Sequence, residues 1–119
     1  MERFKKEGIA NTMKDLFVTI IQSNLHWESI EENLTMFSGK ISSIKEQTDL
    51  IILPEMFSTG FTMNNKPLAE RMGGRTVEWM KQMAKAKKCV ITGSIIIEES
   101  GKYYNRLIWM HPAGTYDIY

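Results

Sequence analysis

The sequence has a single cysteine, Cys89, so no disulfide can form within the chain. That fits a reducing compartment, and a cytoplasmic location is expected. Charge excess is also missing, with 15 Lys+Arg against 14 Asp+Glu. A nucleic-acid binder needs clustered positive charge to displace counterions from phosphates, so no nucleic-acid partner is expected. The densest basic run, Lys81 to Lys88, reads as the solvated side of a helix. Long apolar runs are absent. Leu50-Ile51-Ile52-Leu53 and Ile95-Ile96-Ile97 fall far short of the ~20 residues that span a bilayer, so no membrane role is expected. Arg3, Lys5 and Lys6 are followed by no apolar stretch, which excludes a secretory signal there. His26 and His111 lie far apart in sequence beside turns, and with one cysteine they make no plausible zinc set. No metal or cofactor is expected. Gln22-Ser23-Asn24, after the first predicted strand, lacks the glycines of a phosphate-binding loop, which counts against a flavodoxin-like nucleotide domain.

What is present has the grammar of an α/β protein. Residues 16–22 are β-branched and apolar and predict a buried strand. A helix is predicted from about Glu28 to Lys45. Ile30, Leu34, Phe37, Ile41 and Ile44 recur along it at the three- and four-residue spacing of one helical face. Glu28, Glu31 and Glu32 suit its start, and Lys40 and Lys45 its end. Leu50 to Leu53 returns to a strand, apolar at every position, as expected of a parallel strand covered on both faces. Strand, helix and strand in that order form a right-handed βαβ unit.

Residues 55–74 form a long connection without periodicity, and such loops are often functional. A second helix follows from about Thr76, its expected N-cap, to Lys87, with Val77, Met80, Met83 and Ala84 as its apolar stripe. Residues 89–99 and 103–110 predict a hairpin turning at Ser100-Gly101. After a turn at Pro112-Ala113-Gly114, a further strand begins near Thr115. The expectation is a mixed sheet with helices on one face. The nine methionines do not cluster and read as adaptable core filler. Residues 1–13 read as a flexible N-terminal extension, with Met13 as an alternative start.

Glu55 is the residue that suggests chemistry. It follows a buried strand at the carboxyl end, where α/β sheets bind ligands. A carboxylate placed there can be partly desolvated, which suits it to accept a proton near neutral pH. The alternative is an ordinary solvated glutamate at a strand end.

Leu53-Pro54-Glu55-Met56-Phe57-Ser58-Thr59-Gly60-Phe61 resembles the Pro-Glu motif of the nitrilase superfamily of carbon–nitrogen hydrolases. Val18 to Trp27 is similar to that family's first strand and loop, and Ile91-Thr92-Gly93-Ser94 to its third strand. Tyr104-Asn105-Arg106 falls where the family commonly has an asparagine, and Gly114-Thr115-Tyr116 resembles a later turn. The Met56 to Phe61 stretch looks most like the omega-amidase branch, which hydrolyses terminal amides of 2-oxo dicarboxylic acid monoamides. The resemblance spans residues 14–119 and implies one partial domain, the N-terminal half of a four-layer αββα sandwich.

It also implies a Glu–Lys–Cys triad with Glu55 as general base, a small-molecule amide as substrate, and Phe57, Thr59 and Phe61 as candidates for the acyl pocket. For Phe57 and Phe61 the other reading is that they close the core beneath the loop. The family's lysine and cysteine have no counterpart among these residues. Cys89 stands where the family has structural residues. Neighbouring lysines can lower a thiol pKa, but such a cysteine is more often a small buried hydrophobe. The chain is therefore expected to be inactive alone. Strand surface left uncovered by a missing half is expected to drive oligomerisation or poor solubility. A non-catalytic pairing or scaffold fragment is the alternative.

Overall fold

The computed structural model describes residues 2–6 and 15–119. In chain order the elements are β1 (Glu2–Lys6), β2 (Leu16–Ile20), α1 (Ile30–Ser42), β3 (Leu50–Ile52), α2 (Asn65–Leu68), α3 (Arg75–Lys87), β4 (Val90–Glu99), β5 (Lys102–Met110) and β6 (Tyr116–Ile118). All six strands form one sheet in sequence order. β2, β3 and β4 run parallel, as two successive helical crossovers require. β1 pairs antiparallel to β2, and β5 and β6 continue β4 as an antiparallel meander. The class is α/β with a mixed sheet, as the order of apolar runs predicts.

The N-terminal extension holds one element that the sequence reading did not assign, since Glu2–Lys6 pairs with β2 at the sheet edge. The remainder of residues 1–13 lies outside the described residues.

α1 and α3 pack on one face of the sheet. From α1 the predicted stripe supplies Leu34, Phe37 and Ile41, all buried, with Ile44 buried just past its end. Glu28 does not enter the helix. It takes a left-handed φ of 54°, and its N–H donates to the Thr59 carbonyl at 2.8 Å. α3 supplies Val77, Met80 and Ala84 as expected, while Met83 is only partly buried. Trp79 is a core residue outside the predicted stripe. It is turned toward α1, and its Nε1–H donates to Ser38 Oγ at 2.8 Å. Facing the helices are Ile51, Ile91, Ile95, Ile97, Ile108 and Met110, all at or below 1% exposure.

Two expectations need correction. Thr76 is not the N-cap of α3; Gly74 holds that place. The Thr76 N–H donates to Glu70 Oε1 at 2.9 Å, and its hydroxyl donates to the other carboxylate oxygen. A carboxylate brought back by the long connection thus serves the helix start, where the dipole favours negative charge. The second correction concerns β3. Ile51 is fully buried, but Leu50 and Ile52 are half-buried, because the described residues place no helix over the opposite face of the sheet. The hairpin follows the expected turn: Ser100 and Gly101 both have positive φ, 54° and 76°, the primed geometry that matches strand twist.

One contact limits what β4 tolerates. Phe57 is fully buried, edge-on to Phe37 at 5.8 Å between ring centroids and 5.7 Å from Trp79. A Cβ on Gly93 would lie 2.7 Å from Phe57 Cδ1 and 3.1 Å from Leu53 Cβ. Gly93→Ala is therefore expected to push this ring out of place, at a cost of about 1–3 kcal/mol. Phe57→Ala, which leaves a cavity, should cost about 3–5 kcal/mol. Urea unfolding of both variants tests this. A Gly93→Ala midpoint equal to the parent's would show that the ring is not held there.

Candidate active site

The site begins where β3 ends. The Leu53 N–H donates to the Thr92 carbonyl at 2.8 Å, extending the ladder by one residue beyond the strand. Pro54 then removes a donor, and ladder pairing stops. Two residues later the chain reverses. Met56 takes a left-handed φ of 50°, and its N–H donates to Ser94 Oγ at 2.8 Å. The Gly60 N–H closes the turn on the Met56 carbonyl at 2.8 Å. Gly60 itself has a φ of 82°, with the Trp27 ring 3.2 Å from where a Cβ would sit, so both backbone angle and space call for glycine.

This turn separates neighbouring side chains. Phe57 goes down into the core, and Glu55 stays on the open side of the sheet. Glu55 is exposed among the described residues. Its Oε1 accepts a hydrogen bond from Asn105 Nδ2 at 2.9 Å. Glu55 and Asn105 line an open depression of about 410 Å³ whose other walls include Ile52, Leu53, Thr92, Ser94, Leu107 and Tyr119.

None of the three acyl-pocket candidates lines this depression. Phe57 is fully buried on the other side of the sheet, so of its two readings the core one describes its position. Thr59 is buried and donates its hydroxyl to the Gly60 carbonyl at 3.0 Å. Phe61 is 67% exposed and stands away from Glu55's depression.

Asn33 and Ser94 carry contacts that the sequence alone does not reveal. Asn33, fully buried within α1, joins two loops. Its Oδ1 accepts from the His26 N–H at 2.7 Å, and its Nδ2 donates to the carbonyls of His26 at 2.8 Å and Ser58 at 2.9 Å. The loops after β2 and β3 are thereby tied to one side chain. A polar residue inside a helix is ordinarily read as solvated, and only its place between Ile30 and Leu34 and the buried Phe37 hints at the inner face. Ser94 carries no such hint in a run of strand formers.

Cys89 is not placed to react. It is buried just after α3, and burial pushes its thiol up from 9.0 to about 11; Lys87 draws it down and Asp49 adds to the rise, but burial prevails. His26 Nδ1 lies 3.0 Å from Glu32, and His111 Nε2 3.0 Å from Asp117; both are surface pairs near turns. Among the described residues, no three His, Cys, Asp or Glu side chains converge as metal ligands, and no helix is long and apolar enough to cross a membrane.

Residues 17–119 match the sequence profile of the carbon-nitrogen hydrolases. The chain belongs to the carbon-nitrogen hydrolase family. It is 34% identical over 105 residues to the omega-amidase YafV of Yersinia enterocolitica, an alignment covering 87% of this chain and 40% of that protein. It is 24% identical over 92 residues to the 2-oxoglutaramate amidase of Bacillus subtilis, covering 76% of this chain and 36% of that one. Among solved structures, a CN-hydrolase superfamily protein of Xanthomonas campestris with an arsenic adduct in its active site is similar with a TM-score of 0.86 at 33% identity, over 90% of this chain and 40% of that chain. An N-terminal amidase with an Asn-Glu-Ala peptide shares the fold, with a TM-score of 0.75 at 21% identity, over 86% of this chain and 27% of that one. This carbon-nitrogen hydrolase chain spans about two fifths of the length of its omega-amidase relative from Yersinia enterocolitica.

The buried thiol generates a prediction. Cys89 should resist a disulfide reagent at pH 8 in the folded chain and react at once when unfolded, read by absorbance of the released thiolate. Because its folded value lies above the unfolded one, the folded state holds the proton more tightly between pH 9.0 and about 11. Its contribution to stability is thus complete below pH 9.0 and is lost as pH rises toward about 11. Rapid labelling of the folded chain at pH 8 would contradict this.

Proposed function

We propose that these residues supply the general base of an omega-amidase-like hydrolase that cleaves the terminal amide of a 2-oxo dicarboxylic acid monoamide. The observation that carries this is Glu55: a carboxylate at the carboxyl end of a parallel strand, above an open depression, with one oxygen engaged by a neutral amide. In the mechanism Glu55 takes the proton of a cysteine thiol as its sulfur attacks the amide carbonyl, a lysine holds the tetrahedral oxyanion, and the C–N bond breaks as Glu55 returns that proton to the departing ammonia, leaving a thioester. Glu55 then activates the water that cleaves the thioester.

Residues 14–119 are one partial hydrolase domain in this account. Cys89 is too buried to be the nucleophile, and among the described residues no lysine forms an ion pair with Glu55. These residues alone are therefore inactive. Of the three acyl-pocket candidates, Phe57 and Thr59 are buried and Phe61 is exposed outside the depression beside Glu55. A cytoplasmic setting accords with a mechanism that needs a reduced thiol.

A second reading, a non-catalytic pairing module, is favoured by the open sheet face. Leu107 is 39% and Tyr119 75% exposed there, beside half-buried Leu50 and Ile52. The isolated chain should self-associate through this face. Light scattering should show species above monomer mass and an apolar dye should bind; a sharp monomer peak without dye binding would contradict it.

Catalysis is tested by joining residues 14–119 to the remaining portion of the Yersinia enterocolitica omega-amidase and following ammonia release from 2-oxoglutaramate. The chimaera should be active, and Glu55→Gln should lower its kcat by about a hundredfold to ten-thousandfold. The 119-residue chain should release no ammonia above buffer. A chimaera that keeps its rate with Glu55→Gln would remove Glu55 from the chemistry.

A further inference from the structure

We propose that Asn105 is a positioning residue that holds the Glu55 carboxylate for proton transfer, an assignment that rests on Glu55 being the general base. The two side chains come from different elements. Glu55 leaves the turn after β3, whereas Asn105 sits within β5, opposite Ile96 of β4 in the sheet register. That register puts Asn105 on the open face, where its Nδ2 donates to Glu55 Oε1 at 2.9 Å. Among the described residues this is the carboxylate's one side-chain partner.

The chemistry of the partner matters. An exposed glutamate samples several rotamers, and a base is effective only when its oxygen sits where the proton will leave. An amide donor fixes Oε1 and leaves Oε2 to receive the proton. Being neutral and unable to take up a proton itself, it does so without drawing the carboxylate into a permanent ion pair. Ser94 completes the hold from below. Its Oγ accepts the Met56 N–H, which fixes the backbone from which Glu55 projects, and it lines the same depression as Glu55 and Asn105. Asn105 is exposed, so its replacement removes little packing.

The first test uses the chain itself. Side-chain NMR couplings of Glu55 should report one dominant rotamer in the parent and averaging in Asn105→Leu, which keeps the shape and the neutrality and removes the donor, with the remaining backbone spectrum unchanged. Equal averaging in both would overturn the assignment. The second uses the chimaera with 2-oxoglutaramate. Asn105→Leu should lower kcat about ten- to hundredfold with KM within about twofold, and Asn105→Gln, which restores a donor on a longer arm, should recover part of the loss. An unchanged kcat in Asn105→Leu, or equal losses in both variants together with lower thermal stability, would overturn it. Glu55→Gln run in parallel separates the two claims. If it abolishes turnover while Asn105→Leu leaves kcat unchanged, only the positioning role falls; if it is itself active, the general-base reading falls first.

Discussion

The hydrogen bond from the Met56 N–H to Ser94 Oγ, at 2.8 Å, fixes the turn on which both the core and the open face depend. Met56 is not glycine, and its left-handed φ of 50° carries a backbone cost of about 1–2 kcal/mol. A buried hydrogen bond of about 1 kcal/mol offsets part of it. The larger compensation comes one residue later, where Phe57 is sunk between Phe37 and Trp79; burying such a side chain is worth about 1.5–3 kcal/mol. With this turn, the carboxylate and the ring of nearby residues occupy opposite sides of one sheet.

That division explains which parts were legible in the sequence. Periodicity located both major helices, because their inner faces meet a flat apolar surface that demands regular spacing, and Leu34, Phe37, Ile41, Val77, Met80 and Ala84 are buried accordingly. Glu55's place after a buried strand was legible from the apolar run and Pro54, but position alone left an ordinary strand-end glutamate open, and its reading as a base came from the resemblance of Leu53 to Phe61 to the family motif. What escaped depends on contacts between segments distant in sequence. Trp79 is buried because α1 lies beside α3, a relation that no single-helix pattern encodes. Glu70 reaches the start of α3 only because the long connection folds back on itself. Asn33 is legible as a clamp only once the loops after β2 and β3 are seen to meet over it. Likewise Phe57 shares a loop with Glu55 in sequence and a core with Trp79 in space.

Cys89 and Glu55 show how position sets reactivity. Both follow regular elements, and both belong to residue types that catalyse. The cysteine has lysines before it in sequence, yet burial outweighs the charge of Lys87, and its thiol stays protonated. The glutamate is held by an amide at the open end of the sheet, where a substrate can approach. Proximity of charge along the chain therefore misleads, and access together with a geometrically fixed partner is the better guide.

The two faces of the sheet also separate stability from chemistry. On the helix side, six large apolar side chains at or below 1% exposure leave no room for a reacting molecule, and substitutions there act through packing. On the other side Thr92, Ser94 and Asn105 interrupt the apolar surface with hydrogen-bonding groups around a carboxylate. A polar group buried against a partner must keep a hydrogen bond or lose free energy. Thr92 already has one, donating its hydroxyl to the Ile108 carbonyl at 2.8 Å; Ser94 holds the Met56 N–H, and Asn105 holds Glu55. These three groups therefore do not decide between the readings, but Glu55 does: an exposed carboxylate with one amide partner would lose free energy under an apolar partner, which weighs toward a polar small molecule over simple pairing for this face.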